Sequence, residues 1–445
     1  MRLQSLVDIA ALPFPRSRRL GRQQLVIPRL WGLSAPLRAL RFSSTPATGV
    51  LLVAPADEGN LGDEAILQGT ATYLLTHGMN GPVGVVSFGK TGQWRQLKGM
   101  NEHLNLQHLL NGPATREWLA YAKFARLFRH AVILGTDCMD GYYSVTHTLQ
   151  RQNMAQLAAA LGLSVSIPSI SINARPDTVC MEGFRKLSSK VAVSCRDPLS
   201  AERLQRLSGR NVITTADLAF LLEPDESSAT AAKVIGWIAQ QKARGRVVVG
   251  VNINSQLTRT GGQDDEQILL ASVAQTLTQL HRHQRASFLF IPHDRRGPRN
   301  DSTVGADLVR ILDDGVRQNF AMLEEPYGAA EVKGIAGHCD LVVTGLMHIA
   351  IAALGRGVPV ACLTYQGKFE GLLEHFGIAA AGISPRMAMD KTAFLQFVTA
   401  QFARREAHRQ AIVARLPAIL RLAAANLKGI VPAATGTCTS SKNAA

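Results

Sequence analysis

Several function classes leave no trace in this chain, and each absence narrows the reading. The six cysteines (Cys138, Cys180, Cys195, Cys339, Cys362 and Cys438) are scattered, with no Cys-x-x-Cys and no close Cys/His pairing of zinc-site type. A zinc centre and a disulfide framework are thereby disfavoured, and a reducing compartment fits best. No segment offers the ~18 uninterrupted apolar residues of a membrane-spanning helix. The nearest candidate, 341–365, contains His348, Arg356 and Pro359 and reads as buried core. Gly-x-Gly-x-x-Gly does not occur, so a dinucleotide reading loses support. Internal repeats of solenoid period are missing too. Only 18% of residues are charged while 46% are apolar, the balance of a globular chain.

What is present begins with a skewed charge. The net charge is +15, and residues 1–46 hold eight arginines against the single acid Asp8, with Leu, Ile, Val and Trp31 between prolines. Such a leader suits an anionic membrane surface, an organellar transit role, or a mobile tail without a fixed role. It does not read as a secretory signal, because Asp8 interrupts the apolar patch and no small-residue cleavage pattern follows. The expectation is a cytoplasmic protein with no nucleic-acid partner, with peripheral contact at the inner face of the membrane through this leader left as an open alternative.

A chain of 445 residues most simply makes two domains. The stretch Gly59-Asn60-Leu61-Gly62-Asp63-Glu64 follows the apolar run 49–55 and precedes Ile66, Leu67, Thr70, Tyr73 and Leu74 at helical spacing, which describes strand, loop and helix. Strands over 82–88, 131–135, 164–172, 191–195 and 211–215 then alternate with helical patterns. After a polar, turn-rich junction beginning at Glu223, strands over 246–252, 287–292, 318–323, 340–344 and 358–364 alternate in the same way. Such alternation predicts parallel sheets covered on both faces. The expected divisions are a leader 1–46, an N-terminal domain 47–223, a linker or connecting helix 224–245, a C-terminal domain 246–389, closing helices 390–428 broken at Pro417, and a disordered tail 429–445.

Ligands of such sheets bind outside the carboxyl ends of strands. The polar residues placed there are Asn60 to Glu64, Asp137 and Asp140, Arg196-Asp197, Asp217, Asn252 and Asn254, His293-Asp294, His348, and Tyr365 to Lys368. Asn60 can donate and accept, Gly62 lets backbone approach closely, and Asp63 and Glu64 bring carboxylates to a helix start, where they also favour the helix itself. Arg196 can clamp a phosphate or carboxylate, or pair with Asp197 to cap the following helix. His293 is followed by a cationic turn containing Arg295 and Arg296. His348, at the head of an apolar helix, suits general acid work or anion binding, against the alternative of a satisfied core histidine. Lys368 opposes the macrodipole of the helix it begins, so a ligand explains it better than helix stability does. Asp137-x-x-Asp140 alone provides too few ligands, and no metal is expected.

Taken together, these segments resemble the polysaccharide pyruvyl transferase family. The resemblance rests on Gly59 to Glu64, Cys195-Arg196-Asp197 with Ser200, Asp217, Ile291-Pro292-His293, Asp340 to His348 with Ala352 and Ala353, and Gly357-Val358-Pro359 running to Tyr365-Gln366-Gly367-Lys368. It implies an α/β fold with two Rossmann-like domains facing a cleft, GT-B-like, with C-terminal helices. It also implies transfer of pyruvate from phosphoenolpyruvate to hydroxyls of a sugar or polysaccharide acceptor, forming a ketal without any cofactor. On that resemblance His348 is the general acid or a phosphate ligand, His293 a second candidate acid, and Asp63 or Glu64 the group acting on the sugar hydroxyl. Arg196 and Lys368 hold the donor's anionic groups, and Asn60, Gly62, Asn252 and Tyr365 complete the substrate-binding set. Two departures stand out. The family's Arg-x-His is here Leu346-Met347-His348, and the turn 135–141 is less glycine-rich than usual, which leaves the acceptor side open. A GT-B glycosyltransferase using a nucleotide sugar and a non-catalytic glycan-binding or assembly member are the alternatives.

Overall fold

The apolar run ahead of the Gly59 loop forms β1 (Val50–Val53), and all four of its side chains are buried. Valine and leucine suit a strand covered on both faces. The computed structural model describes residues 48–55, 59–89, 100–111, 114–258, 263–365 and 367–431. The leader 1–46, Gln366 and the tail beyond 431 lie outside the described residues.

Around β1 stand β2 (Val83–Ser87), β3 (Glu102–Asn105), β4 (His130–Ile133), β5 (Ser164–Ile170), β6 (Val191–Cys195) and β7 (Ile213–Thr214), in the order β3-β2-β1-β4-β5-β6-β7. The second sheet holds β8 (Val247–Asn252), β9 (Ala286–Phe290), β10 (Phe320–Met322), β11 (Leu341–Thr344), β12 (Val360–Leu363) and β13 (Gly382–Ile383), in the order β10-β9-β8-β11-β12-β13. Every named pairing is parallel. Each domain's first strand is therefore central, and the strand order reverses beside it, between β1 and β4 and between β8 and β11. Those crevices are where a doubly wound sheet binds ligands. Two strands escape the sequence pattern: β3, a partly exposed polar Glu-His-Leu-Asn edge, and β13, only two residues long.

The helices that position the site are α1 (Leu61–Thr76), α2 (Val145–Ala160), α3 (Pro198–Ser208), the connecting helix α4 (Ala229–Ala243), α5 (Ala329–Ala336), α6 (Met347–Leu354), α7 (Phe369–Phe376) and α8 (Lys391–Ala425). The first of these is buried on several sides because it lies between the domains. Its Gly69 backs onto Leu222, where an added Cβ would sit 2.8 Å from the Leu222 amide nitrogen. One continuous core joins Leu61, Leu67 and Leu74 of α1 to Val332 of α5 and Ile349 and Leu354 of α6.

Pro417 does not break the closing segment: α8 runs unbroken for 35 residues with the proline inside it. An internal proline costs about 3 kcal/mol. Burial of Ile412, Ile419 and Ala423 on either side of it offsets that cost. The helix returns to the first domain at Asn426, whose Nδ2 donates to Ala216 O at 2.8 Å while its Oδ1 accepts from Ser194 Oγ at 2.7 Å and Thr215 Oγ1 at 2.8 Å. Among the described residues no helix is long and apolar enough to cross a membrane.

Candidate active site

The Gly59–Glu64 loop meets the second domain directly. Leu61 N donates to His293 O at 3.2 Å and Arg295 N donates to Gly59 O at 2.8 Å, closing an antiparallel bridge between Asn60 and Asp294. Asn60 also starts α1, since its Oδ1 accepts from Gly62 N at 2.8 Å. Gly62 faces His348 so closely that any side chain would collide with the imidazole. Beside this bridge lies a cavity of about 310 Å³. A wider groove of about 1160 Å³ runs between the helices Gln263–Gln284 and Asp301–Arg310. No histidine lines that groove, so the chemistry is sought in the smaller cavity.

The cationic side chains Arg151, Arg196, Arg296 and Lys368 line the cavity against Asp63, Asp137 and Asp294, together with His147, His293 and His348. Arg196 leaves the end of β6 almost wholly buried. Its Nη1 donates to Asp217 Oδ2 and its Nη2 to Ser171 Oγ, both at 2.7 Å, while its Nε has no partner. The local Arg196–Asp197 pair allowed by sequence does not form. Asp197 instead caps α3, accepting from Ser200 N at 2.8 Å and Ser200 Oγ at 2.7 Å.

His348 occupies the first turn of α6, whose N-cap, Leu346, supplies no capping side chain. The amides of that turn and the imidazole therefore face the cavity together. His348 Nε2 lies 3.8 Å from Asp217 Oδ2, too far for a hydrogen bond, and has no other partner. Burial lowers its pKa, against the opposing pull of Asp217, so the free imidazole is neutral near pH 7. His293 is buried with neither ring nitrogen bonded, and burial drives its pKa well below the ordinary histidine value. A buried donor or acceptor without a partner costs on the order of 1–3 kcal/mol. Several such atoms around one cavity mark a place where a polar ligand belongs.

Asp63 is 5% exposed. Burial pushes its carboxyl up to about 7, with Asp137 adding repulsion and Arg296 opposing the rise. Asp137 behaves in the opposite way: burial is outweighed by Lys368, Arg196 and His348, which hold it well below the usual carboxylate range. Lys368 Nζ stands 3.1 Å from Asp137 Oδ2, and Tyr143 OH donates to the same oxygen at 3.2 Å. Neighbouring carboxylates with pKa values pushed apart form an acid/base pair in which one remains ionised while the other exchanges protons.

Four residues expected at the site, Asn252, Glu64, Gly62 and Asp140, do not line the cavity. Asn252 is fully buried beneath it, donating from Nδ2 to Ile291 O at 3.0 Å and to Asp301 Oδ2 at 2.8 Å. Asp301 in turn accepts from His293 N at 2.9 Å, so Asn252 holds the histidine loop and does not line the cavity. Glu64 reaches across the domain boundary, its Oε1 accepting from Ala329 N at the start of α5 at 2.8 Å. It is an interdomain helix cap. Gly62 contributes closeness and no ligand. Asn60, Tyr365 and Lys368 line the cavity as expected. Asp140 accepts from Asn173 Nδ2 at 2.7 Å and from Tyr142 N at 3.0 Å, so it braces its loop. Among the described residues no group of three or more His, Cys, Asp or Glu is arranged to hold a metal ion.

Sequence reasoning missed Arg151, buried on α2 among Gln150, Gln152 and Asn153. Its guanidinium donates to Pro55 O at the end of β1. A run of polar residues in a helix with no apolar stripe was the available signal. Arg296, read only as part of a cationic turn, is held by Asp294, its Nε donating at 2.9 Å and its Nη2 at 2.7 Å.

The family model for polysaccharide pyruvyl transferases matches residues 60–367, more than half of the chain and all of the cavity lining except Lys368 and Phe369. The chain belongs to the polysaccharide pyruvyl transferase family. No curated protein matches it in sequence. This pyruvyl transferase family member is similar in fold to a glycosyltransferase from Rickettsia africae, at 12% identity and TM-score 0.54 over 86% of this chain and 100% of that one. It is similar also to a UDP-GlcNAc 2-epimerase from Neisseria meningitidis bound to UDP-GlcNAc, at 13% identity and TM-score 0.53 over 85% of this chain and 99% of that one. These likenesses establish the two-domain, GT-B-like architecture.

Proposed function

We propose that this protein transfers a pyruvyl group from phosphoenolpyruvate to two hydroxyls of a sugar in a polysaccharide or its precursor, forming a pyruvate ketal. The observation that carries the reading is the convergence of unpartnered buried nitrogens, His293 Nδ1 and Nε2, His348 Nε2 and Arg196 Nε, on a cavity that also receives the uncapped start of α6. Phosphoenolpyruvate carries a phosphate and a carboxylate, the anions such a site accommodates.

The chemistry balances with the residues present. A proton is added to the methylene carbon, which becomes the ketal methyl, and the first sugar oxygen bonds to the adjacent carbon as its hydroxyl loses a proton. The bond from that carbon to the phosphate oxygen then breaks, the second sugar oxygen takes its place, and the second hydroxyl proton leaves with phosphate. Donor anions beside His348 raise its proton affinity from the depressed value of the free site, preparing it to deliver the first proton. His293 is the second candidate acid. Asp63, poised at about 7, accepts a hydroxyl proton. Arg196, with Arg151 and Arg296 in the same wall, supplies cationic contacts where the family's Arg-x-His motif is Leu346-Met347-His348. Lys368 keeps Asp137 ionised. No redox cofactor enters this balance.

Thermal denaturation tests the reading against its nearest rival. Phosphoenolpyruvate should raise the melting temperature by linkage and UDP-GlcNAc should leave it unchanged. The reverse pattern would replace the reading with nucleotide-sugar glycosyl transfer. A shift with neither ligand would favour a glycan-binding or assembly role.

A further inference from the structure

A cavity of about 310 Å³ cannot enclose a sugar chain together with a donor, so most of the acceptor must rest outside it. The surface at its mouth has an unusual composition. Among the described residues, Tyr142 and Tyr143 are the aromatics that stand as exposed large hydrophobics, 44% and 41% exposed, and they are adjacent in the chain. Tyr143 also lines the cavity itself. Exposed aromatic surface at the rim of a polar site marks an interaction surface.

These rings are held in place. They meet edge to face with centroids 5.1 Å apart. The buried Lys368 ammonium lies 5.0 Å from the Tyr143 centroid and 5.6 Å from that of Tyr142, within cation–π range of both. Their loop is braced from below by Asp140, whose carboxylate accepts from Tyr142 N, Asn173 N and Asn173 Nδ2, and whose carbonyl accepts from Asp177 N at 2.8 Å. Gly141 takes φ +81°, and a Cβ there would sit 2.6 Å from Asp177 Cβ, so the turn is fixed by close packing. Two exposed rings on so constrained a loop form a preorganised surface, which lowers the ordering cost of binding.

We propose that Tyr142 and Tyr143 form the acceptor subsite, on which the C–H face of a pyranose stacks while its hydroxyl edge turns into the cavity toward Asp63. A pyranose has the required two-sidedness, apolar C–H bonds on a face and hydroxyls around the edge. Tyr143 and Asp63 line the same cavity, so the platform and the carboxylate face one enclosed space. The turn 135–141, which left the acceptor side open in the sequence, is the loop that carries this platform. The assignment of this sugar as the acceptor rests on the pyruvyl-transfer reading; the stacking surface does not.

The test is saturation-transfer NMR with methyl β-galactopyranoside, methyl β-glucopyranoside and methyl α-mannopyranoside as probes, in the presence of phosphoenolpyruvate. At least one probe should receive saturation mainly on the C–H protons of one ring face. Tyr142→Ala and Tyr143→Ala should each weaken that binding by about tenfold, the order of one stacked ring. Tyr143→Phe, which keeps the ring, should retain it. Should an alanine variant fail to fold, nuclear Overhauser contacts between the probe and ¹³C-labelled tyrosine rings in the unaltered protein decide the matter. Wild-type saturation of no probe, undiminished saturation in both alanine variants, or no contact to the labelled rings would overturn the proposal. Melting-temperature shifts with phosphoenolpyruvate, measured on the same samples, separate the two readings. A donor shift without sugar saturation sinks the platform alone, and saturation without a donor shift sinks pyruvyl transfer while the platform stands.

Discussion

Gly62 and His348 touch across the domain boundary, so that a Cβ on Gly62 would lie 2.1 Å from His348 Nδ1 and 2.5 Å from its Cγ. The imidazole proposed to deliver a proton therefore takes its position from a glycine in the other domain. Substitution Gly62→Ala forces either the ring or the domain contact to move. A misplacement of about 1 Å can cost ~100-fold in rate, and overpacking costs about 1–3 kcal/mol. Gly62→Ala should retain its far-ultraviolet circular dichroism, melt at lower temperature, and lose pyruvyl transfer by roughly 100-fold or more.

The pH dependence of stability should carry the mark of Asp63. Its carboxyl is raised in the folded protein from 3.8 to about 7 by burial. A raised folded pKa means the favourable contribution is complete below the unfolded value and is lost as pH rises through the folded one. The loss amounts to about 4 kcal/mol for a shift of this size, at 1.36 kcal/mol per unit. Asp63→Asn, which cannot ionise, should match the wild type in urea unfolding at about pH 4 and exceed it by a few kcal/mol at about pH 8. Equal stability differences at both pH values would place the carboxyl elsewhere in the titration. The same variant should lose transfer activity, because an amide cannot take the hydroxyl proton.

Arg196 and Asp217 form a buried ion pair at 2.7 Å. Removing one member leaves the other charged and uncompensated, which costs about 3–5 kcal/mol. Asp217→Ala should show that loss by denaturant titration. Arg196→Lys retains charge but not the fork that reaches Asp217 and Ser171 together, so it should weaken phosphoenolpyruvate binding by about tenfold or more. Unchanged donor affinity in Arg196→Lys would remove Arg196 from the donor site.

The return of α8 to the first domain depends on Asn426. Its side chain bonds Ser194, Thr215 and Ala216. Truncation to alanine strands these buried groups at about 1–3 kcal/mol. Asn426→Ala should lower the melting temperature while leaving turnover of the folded fraction intact.

How much of this was readable in advance follows from the range of each interaction. The strand–helix alternation appears as apolar runs and periodicities within a few residues of one another, so the two sheets and most of their strands were legible. The edge β3 was not, because Glu102–Asn105 has no apolar run to announce it. Pro417 argued for a break on local grounds, and anchoring of Ile419 and Ala423 in a distant core overrode it. At the site, position after a strand picked out Asn60, Asp63, Arg196, His293, His348, Tyr365 and Lys368, all of which line one cavity. The same rule over-reached at Glu64 and Asn252, since a strand end says where a side chain starts and not which neighbour it meets. Arg151 was missed because it enters from the middle of a helix, where no strand end points to it.

Incubation of the purified protein with phosphoenolpyruvate and extracted polysaccharide, followed by proton NMR of the glycan and assay of phosphate, tests the central claim most directly. The predicted result is a new ketal methyl signal with one phosphate released per ketal formed, both abolished in His348→Ala. Glycan unchanged by phosphoenolpyruvate across acceptor polysaccharides, in a protein whose melting temperature the donor does not shift, would contradict it.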